Sequence, residues 1–391
     1  MRIAVYGGSF NPPHLGHLEA ARCVSEQLSP DMLLIIPDNQ PPHKELEPGS
    51  PEAEERLELC RLNFASLENA VISDMEICRA GKSYTADTVA RLRESYPEDE
   101  LILTLGTDMF LSFEEWYMYH YLLENCTLAV VSRNVDDEPG ILSHKEHMER
   151  RYGARIEVVS HEALPMSSAG IRELLRLRMG SEFLSDAVYS HIISRGYYDA
   201  VPELSWLRSK VLPYLSDRRV AHVTGCENEA VRLAMHWGED AELAAEAAIL
   251  HDITKKMSFD EQLILCRDYG IVCDEAQLAN EKLLHALTGA ALSAAKFGVC
   301  EAVAEAIRWH TTGKPDMTLL EKIIYLADYI EPTRDFEGVD RLRQLCYEDI
   351  DEAMILGLEM GLEELKRCNI EPYRSSVEAL DWYINRRNEI C

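Results

Sequence analysis

Short apolar runs alternate with amphipathic stretches through the first half of this chain and stop near residue 200, and no other feature constrains the fold as strongly. Before the break, Ile3 to Tyr6, Leu33 to Pro37, Val71 to Asp74, Leu101 to Gly106, Leu128 to Ser132 and Ile156 to Val159 read as strands. Helical patterns such as Glu54 to Ala65 separate them. That alternation predicts an α/β domain, a parallel sheet with helices on both faces. From about Ser205 the strand series is absent. Amphipathic patterns follow one another instead, among them Glu227 to Trp237, Leu243 to Leu250, Asp260 to Tyr269, Val303 to Trp309, Leu319 to Tyr329 and Val377 to Arg386, and predict an all-α half. The boundary falls near Ala200-Val201-Pro202, because Gly196 ends the preceding helix and Pro202 resists continuation. The expected domains are therefore 1–199 and 205–391, with 200–204 as linker. At 391 residues each half is long enough to bury its own core.

The 68 acidic residues outnumber the 39 basic ones and leave a formal charge of −29. A field of that sign repels polyanions and argues against an extended surface for nucleic-acid polymers or anionic membranes, so any phosphate must be met in a local pocket. Apolar runs such as Leu33-Leu34-Ile35-Ile36 fall far short of the ~20 residues of a membrane span, and the chain start lacks a signal-peptide apolar segment. The eleven cysteines contain no C-x-x-C pair and read as reduced thiols. A cytoplasmic protein is expected.

The stretch Gly7-Gly8-Ser9-Phe10-Asn11-Pro12-Pro13-His14-Leu15-Gly16-His17 follows the first strand and leads into the helical pattern Leu18-Glu19-Ala20-Ala21. Glycines admit phosphate close to the backbone, and free N–H groups at a helix start attract negative charge. His14 and His17, three apart, share one helix face. Two imidazoles beside an amide nest can hold a triphosphate and stabilise charge that builds at phosphorus. Farther along, Ser167 and Ser168 precede a helical pattern that carries Ile171 and Arg172, a second phosphate clamp. Lys44, beside His43, and Arg133 at a strand end are candidate cationic phosphate partners.

The opening motif resembles that of the nucleotidyltransferase superfamily, and other residues narrow the likeness to the bacterial nicotinate-nucleotide adenylyltransferases. Ser167-Ser168-Ala169-Gly170-Ile171-Arg172 is similar to that family's Ser-Ser-Thr-x-Ile-Arg signature, with Ala169 in place of the usual hydroxyl residue. The likeness spans about residues 1–199 and implies a Rossmann-like nucleotidyltransferase domain. In Lys82-Ser83-Tyr84-Thr85-Ala86-Asp87-Thr88 it implies that backbone N–H groups at Thr85, beside Tyr84, receive a pyridine carboxylate. In Gly106-Thr107-Asp108 it implies an aspartate that helps organise the nucleotide and its magnesium, and in Trp116-Tyr117 a tryptophan that stacks on the pyridine ring. The implied reaction is in-line attack by the phosphate of nicotinate mononucleotide on the α-phosphorus of ATP, with Mg2+, His14, His17 and Arg172 stabilising the charge. The alternative is an adenylyl- or cytidylyltransferase for another phosphorylated acceptor. Tyr84, Thr85 and Trp116 count against it, since such acceptors carry no aromatic acid.

In the second half His222, His251-Asp252, His285, His310 and Asp328 follow one another in an order that allows two divalent ions to be held, with Asp252 placed to bridge. Mixed nitrogen and oxygen ligation suits iron or manganese at least as well as zinc. Ala248 to Lys255, His310-Thr311-Thr312-Gly313 and Tyr325 to Arg334 resemble the bacterial HD-domain hydrolases that split diadenosine tetraphosphate symmetrically, over about residues 205–391. The resemblance implies a metal pair, with iron expected and manganese as the alternative, a hydroxide nucleophile, two ADP as products, and Asp252 as a catalytic residue. Lys255 and Arg334 are expected on non-bridging phosphate oxygens. Another nucleotide substrate, or a regulatory module that holds metal, are the alternatives. Retention of all six ligand positions favours the enzyme.

Overall fold

The computed structural model describes residues 1–41, 45–79, 81–132, 138–160 and 166–390. They form two compact units, Met1–Val201 and Pro202–Cys391. The first unit holds a six-stranded sheet of β1 (Arg2–Gly8), β2 (Met32–Pro37), β3 (Ala70–Ile72), β4 (Glu100–Gly106), β5 (Cys126–Val131) and β6 (Ile156–Val159), in the order β3-β2-β1-β4-β5-β6. All five pairings are parallel. Side chains alternate between two cores: Ile3, Val5, Leu34, Ile36, Leu101 and Leu103 pack on one face, while Ala4, Leu33, Ile35, Ile102 and Ala129 pack on the other. With both faces covered, the strands are apolar throughout, which is why the sequence shows runs rather than polar alternation. Each expected strand is present. β3 is the shortest, as suits an edge strand with one ladder partner.

The strand order reverses between β1 and β4. Their ladder runs from Arg2–Glu100 to Val5–Leu103, whereas the strands themselves continue to Gly8 and Gly106. Such a reversal opens a crevice beyond the carboxyl ends of the strands, where open α/β sheets bind ligands. Around it lie the starts of α1 (Leu15–Leu28), α3 (Thr85–Ser95), α4 (Thr107–Leu111) and α5 (Ser168–Arg176), while α2 (Ala53–Phe64) packs beside β2.

The regular elements among the described residues of the second unit are all helices. Five of its helices carry the residues of interest: α6 (Asp217–Trp237), α7 (Ala241–Leu250), α8 (Glu281–Phe297), α9 (Glu301–Trp309) and α10 (Leu319–Ile330). Residues 244–250 of α7 are all buried, Glu246 among them, so every face of this segment is covered and it forms the centre against α6, α9 and α10. α6 starts ten residues before the pattern Glu227 to Trp237 suggested, since His222, Thr224 and Gly225 interrupt its apolar period. Between the units, the Val201 N–H donates to Leu175 O at 3.0 Å and Leu204 opens a helix, which leaves Pro202 and Glu203 between them. No helix among the described residues is long and apolar enough to cross a membrane.

Two candidate active sites

In the first unit, His14 is the N-cap of α1 and forms a reciprocal cap with His17. The Gly16 N–H donates to His14 Nδ1 at 3.1 Å, and the His14 N–H donates to His17 Nδ1 at 3.2 Å. An Nδ1 that accepts is unprotonated, so each neutral ring carries its hydrogen on Nε2 and offers a donor there. The rings lie together, centroids 3.8 Å apart. Phe10 supports them from behind: it is 2 % exposed and meets His17 edge-on at 5.1 Å. Gly8 makes room for that prop, because a Cβ there would stand 3.3 Å from the Phe10 ring. Gly7 has only ordinary contact distance, 3.9 Å, to Ile36 O.

The two distant motifs are stitched together. Ser167 Oγ caps α5 by accepting from the Gly170 N–H at 3.2 Å, and Ser168 Oγ donates to Pro12 O at 2.9 Å. Arg172 donates to Asn11 O at 2.6 Å and pairs with Glu47 through Nη2–Oε1 at 2.6 Å. The hydrogen bond from Arg172, then its charge, holds the Glu47 carboxyl below its ordinary range. Asn11 itself is internal, its amide donating to Ser50 Oγ and its carbonyl accepting from the Tyr198 hydroxyl, each at 2.8 Å. Ile171 is a core residue at 0 % exposure, and Ser9 Oγ donates to Asp38 at 3.0 Å. Across the crevice Tyr84 is the N-cap residue of α3 and makes no side-chain cap bond, so the N–H of Thr85 is among the first-turn donors without an intrahelical partner. The Tyr84 ring lies 4.9 Å from the exposed Tyr117, and the half-buried Trp116 packs on Phe113 at 5.2 Å. Gly106 caps α4 and Asp108 stands exposed in its first turn. Lys44, with His43, and Arg133 lie outside the described residues.

The second unit brings all six expected ligands to one point. His222 comes from α6, His251-Asp252 from the turn after α7, His285 from α8, His310 from the end of α9 and Asp328 from α10. Asp252, 1 % exposed, sorts the imidazoles into pairs. Its Oδ2 is 3.6 Å from His222 Nε2 and 3.4 Å from His251 Nε2, and its Oδ1 is 3.4 Å from His285 Nε2 and 3.6 Å from His310 Nε2. Asp328 Oδ1 lies 3.1 Å from His222 Nε2. Backbone carbonyls set the tautomers: the Nδ1 atoms of His251, His285 and His310 lie 2.7, 2.8 and 2.6 Å from the oxygens of Ala248, Lys282 and Ile307. A carbonyl can only accept, so each Nδ1 holds the proton and each neutral Nε2 presents a lone pair.

Residues 5–174 match the cytidylyltransferase-like family model and residues 219–333 match the HD domain model. A "Probable nicotinate-nucleotide adenylyltransferase" of Carboxydothermus hydrogenoformans is 34 % identical over 198 residues, which is 50 % of this chain and 98 % of that protein. A "Bis(5'-nucleosyl)-tetraphosphatase, symmetrical" of Bacillus subtilis is 37 % identical over 175 residues, 44 % of this chain and 92 % of that protein. The chain fuses two enzyme families. Its first unit belongs with the nicotinate-nucleotide adenylyltransferases and its second with the HD-domain symmetrical tetraphosphatases. A solved Clostridium acetobutylicum chain described as an HD superfamily hydrolase involved in NAD metabolism is 34 % identical, covering 48 % of this chain and all of its own, at TM-score 0.47.

The donor set of the HD unit fits a divalent-metal pair. Lone pairs of His285 and His310 face each other at 3.1 Å, and burial pushes His285 down to about 4 and His310 below its ordinary value, so protons do not fill the gap near neutrality. Burial would raise the Asp252 carboxyl, but its close contacts with the imidazoles of His251, His285 and His310 outweigh burial and hold it well below its ordinary range. Neither of its oxygens receives a well-directed hydrogen bond. An ionised, buried carboxylate amid converging lone pairs is a cation site. Cys226 Sγ lies 3.6 Å from His222 Nε2 and falls in one group with His222, His251 and Asp328, while burial raises its thiol well above the ordinary value.

Sequence reasoning missed the residues that hold these sites in shape. In the adenylyltransferase unit Arg56, 0 % exposed, donates to the carbonyls of Ser9 at 2.7 Å, Asp38 at 2.6 Å and Asn39 at 3.0 Å, and to Asp38 Oδ1 at 3.0 Å. It ties the ends of β1 and β2. The available signal was its place among Ala53, Leu57, Cys60 and Phe64 on the buried face of α2, where a charge must be paired. In the HD unit Glu331, 0 % exposed, faces His222 Nδ1 at 3.0 Å, a carboxylate–histidine arrangement that makes the imidazole a stronger ligand. A Cβ on Gly225 would come within 2.6 Å of Glu331 Oε2, so that glycine is what admits the carboxylate. Arg219 Nη1 lies 2.7 Å from Asp252 Oδ2. Lys255 Nζ is 2.9 Å from His285 Nε2, and Arg334 pairs with Asp328.

Proposed function

We propose that this chain is bifunctional: its first unit transfers the adenylyl group of ATP to nicotinate mononucleotide, giving deamido-NAD and pyrophosphate, and its second hydrolyses diadenosine tetraphosphate to two ADP. For the first reaction the carrying observation is the His14–His17 reciprocal cap, which directs two Nε2 donors from the helix start beside the crevice. Those donors and the Arg172 guanidinium stabilise the negative charge on the phosphates as the acceptor phosphate attacks in line, and ATP displaces Glu47 from Arg172. Magnesium, bound with ATP, supplies charge neutralisation, and Asp108 would help to hold it. The Thr85 N–H receives the pyridine carboxylate, while Trp116 and Tyr117 take the ring.

For the second reaction the carrying observation is the division of the imidazoles between the two Asp252 oxygens. His222, His251, His285, His310, Asp252 and Asp328 would hold two divalent ions, with iron proposed on the nitrogen and oxygen donor set and manganese as the alternative. Such a pair, when bound, lowers the pKa of water and so provides the nucleophile. Lys255 and Arg334 hold the polyphosphate, and Asp252 keeps both ligand pairs in register. Anaerobically purified protein incubated with diadenosine tetraphosphate in oxygen-18 water is expected to give ADP with label in one of each two molecules. Appearance of AMP and ATP would refute symmetrical cleavage. Incubation with ATP and nicotinate mononucleotide tests the first unit by deamido-NAD formation.

A further inference from the structure

We propose that Cys266 and Cys273 form a thiol-modification site, at which a low-molecular-weight disulfide converts the pair into an intrachain disulfide that closes the turn between two helices of the HD unit. The site lies outside the candidate ligand cluster and depends on neither reaction assigned above.

The turn itself brings the two sulfurs together. The helix Phe259–Asp268 runs out into Gly270, whose φ of 65° suits a residue without a side chain. There the Ile271 N–H donates to Cys266 O at 2.8 Å and the Gly270 N–H to Arg267 O at 3.2 Å, the paired bonds by which a chain reverses over a helix end. The chain is carried back past Cys266, and two residues later Cys273 Sγ stands 3.6 Å from Cys266 Sγ. The far side is pinned as well. Asp274 caps the next helix, Glu275–Ala279, by accepting from the Gln277 N–H at 2.8 Å, and it also accepts from the Tyr373 hydroxyl at 2.8 Å. Both thiols are thus held in contact before any oxidant arrives.

The two thiols are not equivalent. Cys266 is buried, and burial first, then the hydrogen bond with Cys273 and the charge on its sulfur, push it up to about 12. Cys273 is half-buried and follows Val272, which is 95 % exposed. A small disulfide, RSSR, therefore reaches Cys273 first. The Cys273 thiolate attacks one sulfur of RSSR, forms a mixed disulfide and releases one RS−. Capping Cys273 removes the charge and the hydrogen bond that help to keep the proton on Cys266. Cys266 then loses that proton to solvent, attacks the Cys273 sulfur and expels the second RS−. Two protein thiols and one RSSR become one intrachain disulfide and two RSH, with two electrons passing from the protein to the reagent. The turn residues Tyr269, Gly270, Ile271 and Val272 line one cavity with Leu287 of α8 and Trp309 of α9, so the bridge fixes a wall against the helices that carry His285 and lead into His310.

The test treats full-length wild type, Cys266→Ser and Cys273→Ser with oxidised glutathione, quenches with acid, alkylates free thiols and digests with trypsin for mass spectrometry. Trypsin cleaves after Arg267, so the bridge is read as peptides 257–267 and 268–282 joined to each other. The wild type is expected to give the joined pair, lighter by two hydrogens than its reduced parts and released by dithiothreitol. Cys266→Ser is expected to carry at least ~10-fold more glutathione on Cys273 than the wild type, because the neighbouring thiol that would expel it at high effective molarity is gone. Cys273→Ser should leave Cys266 unmodified. The exposed Cys78, Cys300 and Cys368 show that the reagent is active. Glutathione on those three with no joined peptides in the wild type would overturn the proposal, as would joined peptides that form only in denaturant. Equal glutathione on Cys273 in the wild type and Cys266→Ser would overturn it too. If a serine variant does not fold, the wild type compared with and without denaturant decides alone.

Discussion

The two units build their candidate sites by opposite constructions. The adenylyltransferase unit places its donors at strand ends and helix starts, where the backbone itself leaves N–H groups unpaired, and its two histidines are held by those same N–H groups. The HD unit buries side chains at the centre of a helical bundle and leaves their lone pairs pointing at one another. The first arrangement is satisfied by the chain alone and needs only a substrate to complete it. The second is internally repulsive without cations. A site made from backbone dipoles is therefore expected to tolerate single side-chain changes better than a site in which one carboxylate organises four imidazoles.

The sharpest way to break this comparison is Asp252→Ala. It is expected to reduce tetraphosphate hydrolysis by at least ~1,000-fold, since ligand geometry and nucleophile are lost together, while adenylyl transfer stays within twofold. ADP release and deamido-NAD formation, followed in the same preparation, check both halves, and a parallel fall in adenylyl transfer would show that the units are not independent. His17→Ala is the counterpart. Loss of one preorganised donor is expected to cost adenylyl transfer ~100-fold with hydrolysis unchanged. Turnover near wild type in the folded variant would remove His17 from the transition state.

Support around the ligands should matter less than the ligands. Glu331→Gln is expected to weaken metal binding by ~10- to 100-fold, as loss of a carboxylate behind a ligating histidine does, measured by competition with a chelator. Gly225→Ala should act in the same direction, because its methyl group would displace the same carboxylate. Wild-type affinity in both would mean that His222 needs no partner. In the other unit, acceptor choice is expected to follow the helix-start anion site at Thr85. A kcat/KM preference of ~10-fold for nicotinate over nicotinamide mononucleotide matches a helix-terminus interaction, and equal rates would discard that role. The smallest effect is expected from separating the chain between Val201 and Pro202, because each unit has its own core. Each fragment should remain folded and keep its reaction, and aggregation of both would contradict the division.

The sequence by itself determined the elements and the chemistry of each half. Apolar runs of the right length appear as β1 to β6 because a doubly covered strand has no polar face to hide, and the helix-start motif was legible because glycines, prolines and paired histidines act within a few residues. The six candidate ligands were legible by type and order. Local pattern reaches no farther than a turn or two. Only the tertiary structure decided that Asp252 divides the imidazoles two and two, that Glu331 stands behind His222 in the room left by Gly225, and that Arg219 pairs with Asp252. Likewise Arg56 and Asn11 read as residues of a helix and a loop, and became internal ties only once β1 and β2 lay side by side. The physical reason is the same in each case: a buried charge or lone pair is defined by partners distant in sequence, and those partners are chosen by packing, not by spacing along the chain.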